Sequence, residues 1–321
     1  MRYYIFKRVG LFIPSLIMIS IVVFVILRVV PGDPAIMFIV SGGDEGEETY
    51  DEELLAEIRA KLGTDRPIVV QYADWVWGMV QLDFGESYFY DTPVVSDMWK
   101  RLPVTLELGL MAVFLASIVA IPLGVYSALK QDTIGDYISR ALTIVGIATP
   151  NFWVAIMMIF FLVMWFGYFP PIGYVNIWDN PSSNLQQLIF PAIALGTSNT
   201  AFLARVTRSA MLEVLREDYI RTARSKGLGE KVVIFRHALR NALLPVLTVS
   251  GHELGSIIAG TVIIEVIFLV PGMGRLLITA IQNRDFPMIQ GIIILITVFV
   301  LVANLITDLL YAWLNPRIRY S

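Results

Sequence analysis

Few side chains of this 321-residue chain are arranged for covalent chemistry. His252 and Glu253 begin an HExxH-like stretch, but Ser256 stands where the second zinc-binding histidine would be. The sequence contains neither the GxxxxGKS/T loop that binds nucleotide phosphates nor the GxSxG turn that presents a nucleophilic serine. Cysteine is absent, which excludes thiol nucleophiles, disulfides and thiolate metal sites. We therefore expect no enzymatic activity, no metal and no other cofactor.

Ionisable residues inside apolar stretches are the next candidates. Each costs about 2.5–3.5 kcal/mol to insert into a membrane, so each needs a reason. In one interpretation they face a water-filled translocation path or gate; in the other they pair within a helix bundle or stay near water. Gly251 and Gly255 form a GxxxG spacing, which allows a neighbouring helix to approach closely. The candidates for the path or gate are Glu107, His252, Glu253, Gly255 and Glu265.

The densest positive charge of the chain lies between residues 216 and 245. We predict a short helix there, with an ion pair between Glu217 and Arg221, that ends at Gly227 and Gly229. A second helix is predicted from Lys231. The thirty positions contain seven cations: Arg216, Arg221, Arg224, Lys226, Lys231, Arg236 and Arg240.

This basic stretch has two interpretations. An interfacial helix of this charge would anchor the chain on anionic lipid. Alternatively, Tyr219, Ala223 and Gly227 form a small-residue notch on one face, which suits insertion into a groove of a partner protein. We favour the second interpretation, because a topological anchor does not need such a face.

The composition indicates a membrane protein with an all-α fold. Hydrophobic residues make up 56% of the chain, charged residues 16%, and the mean hydropathy is +0.69; soluble domains are less apolar and more highly charged. The apolar stretch that begins the chain is about 20 residues long, too long for a cleaved signal. We predict about six membrane-spanning helices, at 9–30, 104–129, 140–166, 188–212, 243–268 and 289–314.

An even number of spans places both termini on one side of the cell membrane. With the N-terminus inside, the inner segments hold 16 of the 24 basic residues, which predicts an N-in, C-in topology. The outer loop, residues 31–103, is long and acidic. A capping box at Thr49 and Glu52, a stop at Gly63 and a second amphipathic stretch over 69–80 predict a small helical domain there. Its acidic run is interpreted as a solvated face, with a ligand-binding surface as the alternative.

Several motifs resemble one family, the transmembrane permease subunits of binding-protein-dependent ABC importers, in the dipeptide, oligopeptide and nickel branch. The stretch DYIRTARSKGL, followed by HALRNALLPV, is similar to the branch's form of the cytoplasmic "EAA" loop, with Arg221 where the general loop has Glu. The longer interval between Gly227 and Pro245 also resembles this branch rather than sugar permeases. Further similar elements are PGDP at 31–34, TLELG at 105–109, PGMGR at 271–275 and NPR at 315–317.

The resemblance implies a division of the chain and a set of partners. A first span (1–30) and an extracytoplasmic loop domain (31–103) would precede a five-helix permease core (104–315) and a cytoplasmic tail (316–321). The partners would be a second homologous permease subunit, two cytoplasmic ABC ATPase subunits, an extracytoplasmic solute-binding protein and membrane lipid, but no nucleic acid. A coupling loop, residues 213–242, would contact an ATPase through Glu217, Asp218, Tyr219, Arg221, Thr222, Ala223, Lys226 and Gly227.

The implied cargo is a di- or oligopeptide, with nickel chelates, glutathione or oligosaccharides as alternatives within the same architecture. The number of spans alone also fits an ion-coupled secondary transporter or channel, or a membrane-bound scaffold. The basic helix–turn–helix favours the ABC importer, because it provides a surface on which a partner ATPase would dock.

Overall fold

The computed structural model describes residues 2–29, 35, 36, 39 and 52–314. These residues are mostly helical, and among them no β-strand forms beyond an isolated bridge between Glu86 and Pro93. A π-helical stretch, Val233–Ala238, lies between α9 and α10. The helices are α1 (Arg2–Val29), α2 (Glu52–Leu62), α3 (Ile68–Val80), α4 (Val94–Leu129), α5 (Ile134–Ala148), α6 (Asn151–Phe166), α7 (Pro181–Val214), α8 (Asp218–Ser225), α9 (Glu230–Val232), α10 (Leu239–Ile267), α11 (Met273–Gln282) and α12 (Phe286–Leu314).

Five stretches of helix are long and apolar enough to cross a membrane, and a bent pair of helices is a sixth candidate. The five overlap the predicted spans, although α4 begins ten residues before the predicted start at 104. The all-α fold with about six spans is therefore confirmed. The five are Gly10–Arg28, Val94–Leu129, Pro181–Val214, Glu230–Ile257 and Phe286–Leu309.

The span predicted over 140–166 is formed by a bent pair of helices. The direction of the chain bends by 103° between helices α5 and α6, at the break formed by Thr149 and Pro150. A proline disfavours helical backbone in the residue before it, and Thr149 accordingly adopts extended angles, with φ −88° and ψ 123°. Pro150 is then the N-cap of α6.

The chain divides into two compact units, each with its own packing. The first unit contains Thr105–Val270 and the chain from Val300 onward, together with Met1–Ile5. Helix α7 is its centre and contacts α5, α6 and α10. Small residues let α4 and α7 pack closely: a Cβ added to Gly124 would lie 2.6 Å from the Ala204 carbonyl oxygen, and one added to Gly196 would lie 2.9 Å from the Ala112 carbonyl oxygen.

Helices α10 and α12 also pack through glycine in the first unit. A Cβ added to Gly251 would collide with the Thr307 side chain, and one added to Gly255 would lie 3.2 Å from Val300. The GxxxG prediction of close helix approach is therefore confirmed, with α12 as the neighbour.

The second unit consists of Phe6–Val104 and Pro271–Phe299. Helix α1 packs on α3, where the Ser20 and Tyr72 hydroxyls lie 2.8 Å apart. Helices α2 and α3 confirm the two predicted amphipathic helices, and Gly63 follows α2 with a φ of +65°. The predicted cap at Thr49, most of the acidic run, the PGDP element and the NPR element lie outside the described residues.

Candidate functional site

The predicted basic helix–turn–helix is present. Helix α8 begins after Glu217, and Gly227, at a φ of +78°, turns the chain after it ends. That left-handed backbone favours glycine, because a Cβ is strained there. The chain then becomes helical again at Glu230 and reaches α10 through the π-helical stretch, which was not predicted.

The charges of α8 pair differently from the prediction. The Arg221 guanidinium lies 3.3 Å from the Asp218 carboxylate, one turn away, whereas Glu217 forms no ion pair among the described residues. Arg224 instead pairs with Glu230, at 2.8 Å, and so bridges the turn between the two helices. The predicted Glu217–Arg221 pair is wrong, since Glu217 is the N-cap with extended backbone and Arg221 pairs with Asp218.

The inner face of α8 packs on this chain's own core. Ile220 is completely buried and Ala223 is 7% exposed. They pack in a cluster with Val125, Ala128, Ala210, Met211, Val233, Ala238 and Ala242, which come from α4, α7, the π-helical stretch and α10. The prediction that Tyr219 and Ala223 form one notch for a partner is therefore corrected. Ala223 packs α8 onto the helix bundle. Tyr219, which was predicted to lie on the same face, is exposed and accepts a hydrogen bond from Asn241 at 2.8 Å.

The outer face of α8 is polar and open. Besides Tyr219, its exposed residues from the predicted coupling set are Glu217, Asp218, Arg221, Thr222, Lys226 and Gly227. The segment is thus a polar surface packed on an apolar base, and the residues of that base all belong to the first unit.

The predicted path residues do not form one cluster. Glu265 is fully buried near the end of α10 and accepts a hydrogen bond from Thr105 at 2.7 Å. Glu253 is half-buried and lies twelve residues earlier on the same helix, about 18 Å along its axis. Gly255 packs on α12, and the His252 side chain lies outside the described part of the chain.

Glu107 lies two residues after Thr105 on α4. One of its carboxylate oxygens accepts a hydrogen bond from the Tyr174 hydroxyl at 2.6 Å, and the other, Oε1, is buried without a hydrogen-bond partner among the described residues. Burial, with a further contribution from Glu107, raises the pKa of Tyr174 above its ordinary value, so this phenol is a neutral donor.

A buried ion pair at the other end of α4 was not predicted. Asp136 is completely buried and its carboxylate is bound bidentately by Arg208, at 2.8 and 2.9 Å. The sequence does contain a signal: Arg208 intrudes on an apolar span, and Asp136 lies in the loop before the predicted span 140–166, on the same predicted side of the membrane. Twenty residues of helix separate Glu107 from Ser127, which also bonds Asp136, so the two polar ends are about 30 Å apart.

Known protein families and relatives match nearly the entire chain. The family of binding-protein-dependent transport system inner membrane components matches residues 120–320, and the N-terminal region of such membrane components matches residues 1–109. The dipeptide transport system permease protein DppB of Escherichia coli (strain K12) is 39% identical over 344 residues, covering 100% of each chain. A permease protein of Brucella abortus (strain 2308) that is named for peptide transport is 41% identical over 317 residues, covering 99% of each chain.

Among solved structures, a chain of the MetNI methionine ABC transporter in an inward-facing conformation has a similar fold. The TM-score is 0.56 at 17% identity, and the match covers 68% of this chain and 96% of that chain. The likeness at this identity concerns the fold alone, whereas the sequence matches extend to the whole length. The chain belongs to the family of inner membrane components of binding-protein-dependent transport systems.

Proposed function

We propose that the chain is a permease subunit of an ATP-driven ABC importer and forms part of the translocation path for di- or oligopeptides. The observation that carries the proposal is the full-length similarity, near 40% identity, to permeases named for dipeptide and peptide transport. A solute-binding protein outside the membrane delivers the peptide. The chain itself carries no nucleotide-binding loop in its sequence, so partner subunits hydrolyse the ATP.

The proposed topology is N-in and C-in, with the bent α5–α6 pair as one of six crossings. Residues 31–103 then form an extracytoplasmic loop domain, and residues 213–242 face the cytoplasm with the 316–321 tail. The positive charge of the 205–240 region supports this orientation.

The proposed partners are a second homologous permease, two cytoplasmic ATPase subunits and the binding protein. Helix α8 is the contact with one ATPase. Its exposed face presents Asp218, Arg221 and Thr222, while Ile220 and Ala223 fix it to α4, α7 and α10. A displacement of α8 is therefore transmitted to several spans at once, as a switch between inward and outward access requires.

Uptake by the reconstituted complex tests the transport reaction. The chain is co-purified with the proteins that the neighbouring genes encode, and the complex is reconstituted in liposomes. Uptake is then measured with labelled dipeptides, oligopeptides, a nickel chelate, glutathione or an oligosaccharide. We expect peptide uptake that requires hydrolysable ATP and persists when ionophores collapse the ion gradients. Selective uptake of another cargo contradicts the peptide assignment, and uptake driven by an ion gradient contradicts the importer class.

Substitution on the open face of α8 tests the coupling role. Ala223 is unsuitable because it is buried in the chain's own core, whereas Thr222 is exposed. Thr222→Trp should weaken co-purification of the ATPase subunits and lower substrate-stimulated ATP hydrolysis. Gln131→Trp, at an exposed position in the α4–α5 turn, is the matched control. Equal assembly and equal stimulation in both variants would show that α8 is not the docking helix.

The proposed path or gate residues are Glu107, His252, Glu253, Gly255 and Glu265. Since Glu253 is half-buried in a membrane-spanning helix, it is the member that a conservative change probes best. Glu253→Gln should lower peptide uptake while the complex assembles normally. Normal uptake would assign Glu253 a structural role only.

A further inference from the structure

Asp136 is a buried, multiply bonded carboxylate of the first unit, outside the residues discussed as path or coupling groups. Besides the two bonds from Arg208, it accepts a hydrogen bond from the Ser127 hydroxyl and one from the Asp132 backbone N–H, at 3.1 Å. The guanidinium of Arg140 approaches it to 3.6 Å from the next turn of α5. Both carboxylate oxygens are therefore bonded.

These donors come from separate segments of the chain. Ser127 belongs to the last turns of α4, Asp132 to the α4–α5 turn, and Arg208 to the last third of α7. Asp136 itself lies in the first turn of α5. One buried side chain thus joins the end of α4, the following turn and the start of α5 to α7.

Stability alone is a weak reason for such an arrangement. Removing charges from water is costly, and well-packed neutral residues often replace a buried ion pair without loss. What the bidentate geometry does provide is a fixed orientation, because the planar guanidinium fits the carboxylate in only a few ways. The pair therefore fixes the geometry of the α4–α5 turn relative to α7.

The pair lies beside the base of α8. On α7, Arg208 is followed by Ala210 and Met211, which pack against Ile220 and Ala223. On α4, Ser127 lies between Val125 and Ala128, which belong to the same apolar cluster. The hydrogen-bond network of Asp136 and the cluster thus both join α4 to α7: the network through Ser127 and Arg208, which lie 3.1 Å apart, and the cluster by apolar packing.

We propose that Asp136 and Arg208 are positioning residues for energy coupling: they make the α4–α5 turn, and with it the bent α5–α6 pair, move together with α7 when α8 is displaced. The inference rests on the proposed docking of an ATPase at α8. Without the ion pair, a displacement of α8 still reaches α10 through the chain, but its transmission to α5 is weakened.

The test removes both charges together, so that no lone buried charge is left to unfold the protein. The variant is Asp136→Asn/Arg208→Gln in the complete reconstituted complex. The matched control is Arg205→Gln, which removes a cation from the same helix at an exposed position that has no ion pair among the described residues. The readouts are the ratio of binding-protein-stimulated to basal ATP hydrolysis, the amount of peptide transported per ATP, and the yield of assembled complex.

We expect the double variant to assemble and its stimulation ratio to fall by about 2- to 30-fold, the range seen when residues along a coupling network are changed. Arg205→Gln should keep the wild-type ratio. An unchanged ratio in an assembled double variant overturns the inference. So does a proportional fall of basal and stimulated hydrolysis, because a merely structural pair would lower both equally.

Arg208→Lys is the second variant, since it keeps the charge and loses the bidentate contact. Its ratio should lie between those of the wild type and the double variant, and a wild-type ratio overturns the inference even where the double variant fails to assemble. Absence of stimulated hydrolysis in the wild-type complex is a different result, because it contradicts the proposed function itself.

Discussion

The two polar ends of the first unit hold their carboxylates in opposite ways. At the α8 end, Asp136 is bound by a guanidinium, a hydroxyl and a backbone N–H. About 30 Å away, Glu107 receives one bond from the neutral Tyr174 phenol and keeps a second oxygen buried without a hydrogen-bond partner among the described residues.

The difference concerns how easily each end changes its partners. A fully bonded, charge-compensated carboxylate loses several interactions at once when its neighbours move, so the α8 end is fixed. A carboxylate with a single neutral donor loses one bond and gains access to others, so the Glu107 end is adaptable. In a transporter, rigid transmission and a changeable opening are needed at different places.

The largest expected effect is at the fixed end. Arg208→Met leaves Asp136 buried without its main cation, and the free energy of unfolding should fall by about 3–5 kcal/mol. Denaturant titration of the purified subunit in mixed micelles measures this. Arg205→Met, one turn away and exposed, should change stability little, and equal losses in both variants would remove the distinction between the two ends.

A smaller loss of stability is expected when a larger side chain is placed between α4 and α7 near the Asp136 end. Gly124→Ala places a Cβ 2.6 Å from the backbone oxygen of Ala204, so α4 and α7 must separate, at a cost of about 1–3 kcal/mol. Gly10→Ala is the control, because no described atom lies within 4 Å of a Cβ there. Thermal unfolding midpoints that are equal in the two variants would show that the helices separate freely.

The smallest effect is expected at the adaptable end. Tyr174→Phe removes one hydrogen bond from Glu107 and should cost about 0.5–1.5 kcal/mol. Since the pKa of Tyr174 is raised, the bond's contribution is fully present below about pH 10, the ordinary tyrosine value, and is lost only as the pH rises further.

Tyr168→Phe, whose hydroxyl has no hydrogen bond among the described residues, is the matched control for this change, and both variants are compared by unfolding at neutral pH. A loss above 3 kcal/mol for Tyr174→Phe would show that the Glu107 end is as rigid as the other.

Sequence reasoning succeeded where a signal is local. Apolar stretches of membrane length, a glycine needed at Gly227 and the two amphipathic helices before α4 can all be read from neighbouring residues. Pro150 marks the break between α5 and α6, but the size of the bend could not be predicted, because both halves are apolar and hydropathy does not distinguish a bent pair from a straight helix.

The candidate site was harder to predict because its faces are set by distant packing. The spacing of Tyr219 and Ala223 does identify one side of a helix, but only α4, α7 and α10 decide which side is covered. The Asp136–Arg208 pair joins positions 72 residues apart, and no periodicity indicates such a pairing. The sequence indicates the pair only through two opposite charges, those of Asp136 and Arg208, on the same predicted side of the membrane.

The π-helical stretch Val233–Ala238 determines how α8 is rotated relative to α10. A π-turn contains one more residue than the α-turn that would replace it, so it stores a phase offset between α8 and α10. Conversion of the π-turn to an α-turn would rotate α8 relative to α10 by about 100° and shift it along the axis by about 1.5 Å. The stretch therefore sets the rotational angle between α8 and α10, and deleting one of its six residues would reset that angle while leaving both helices intact.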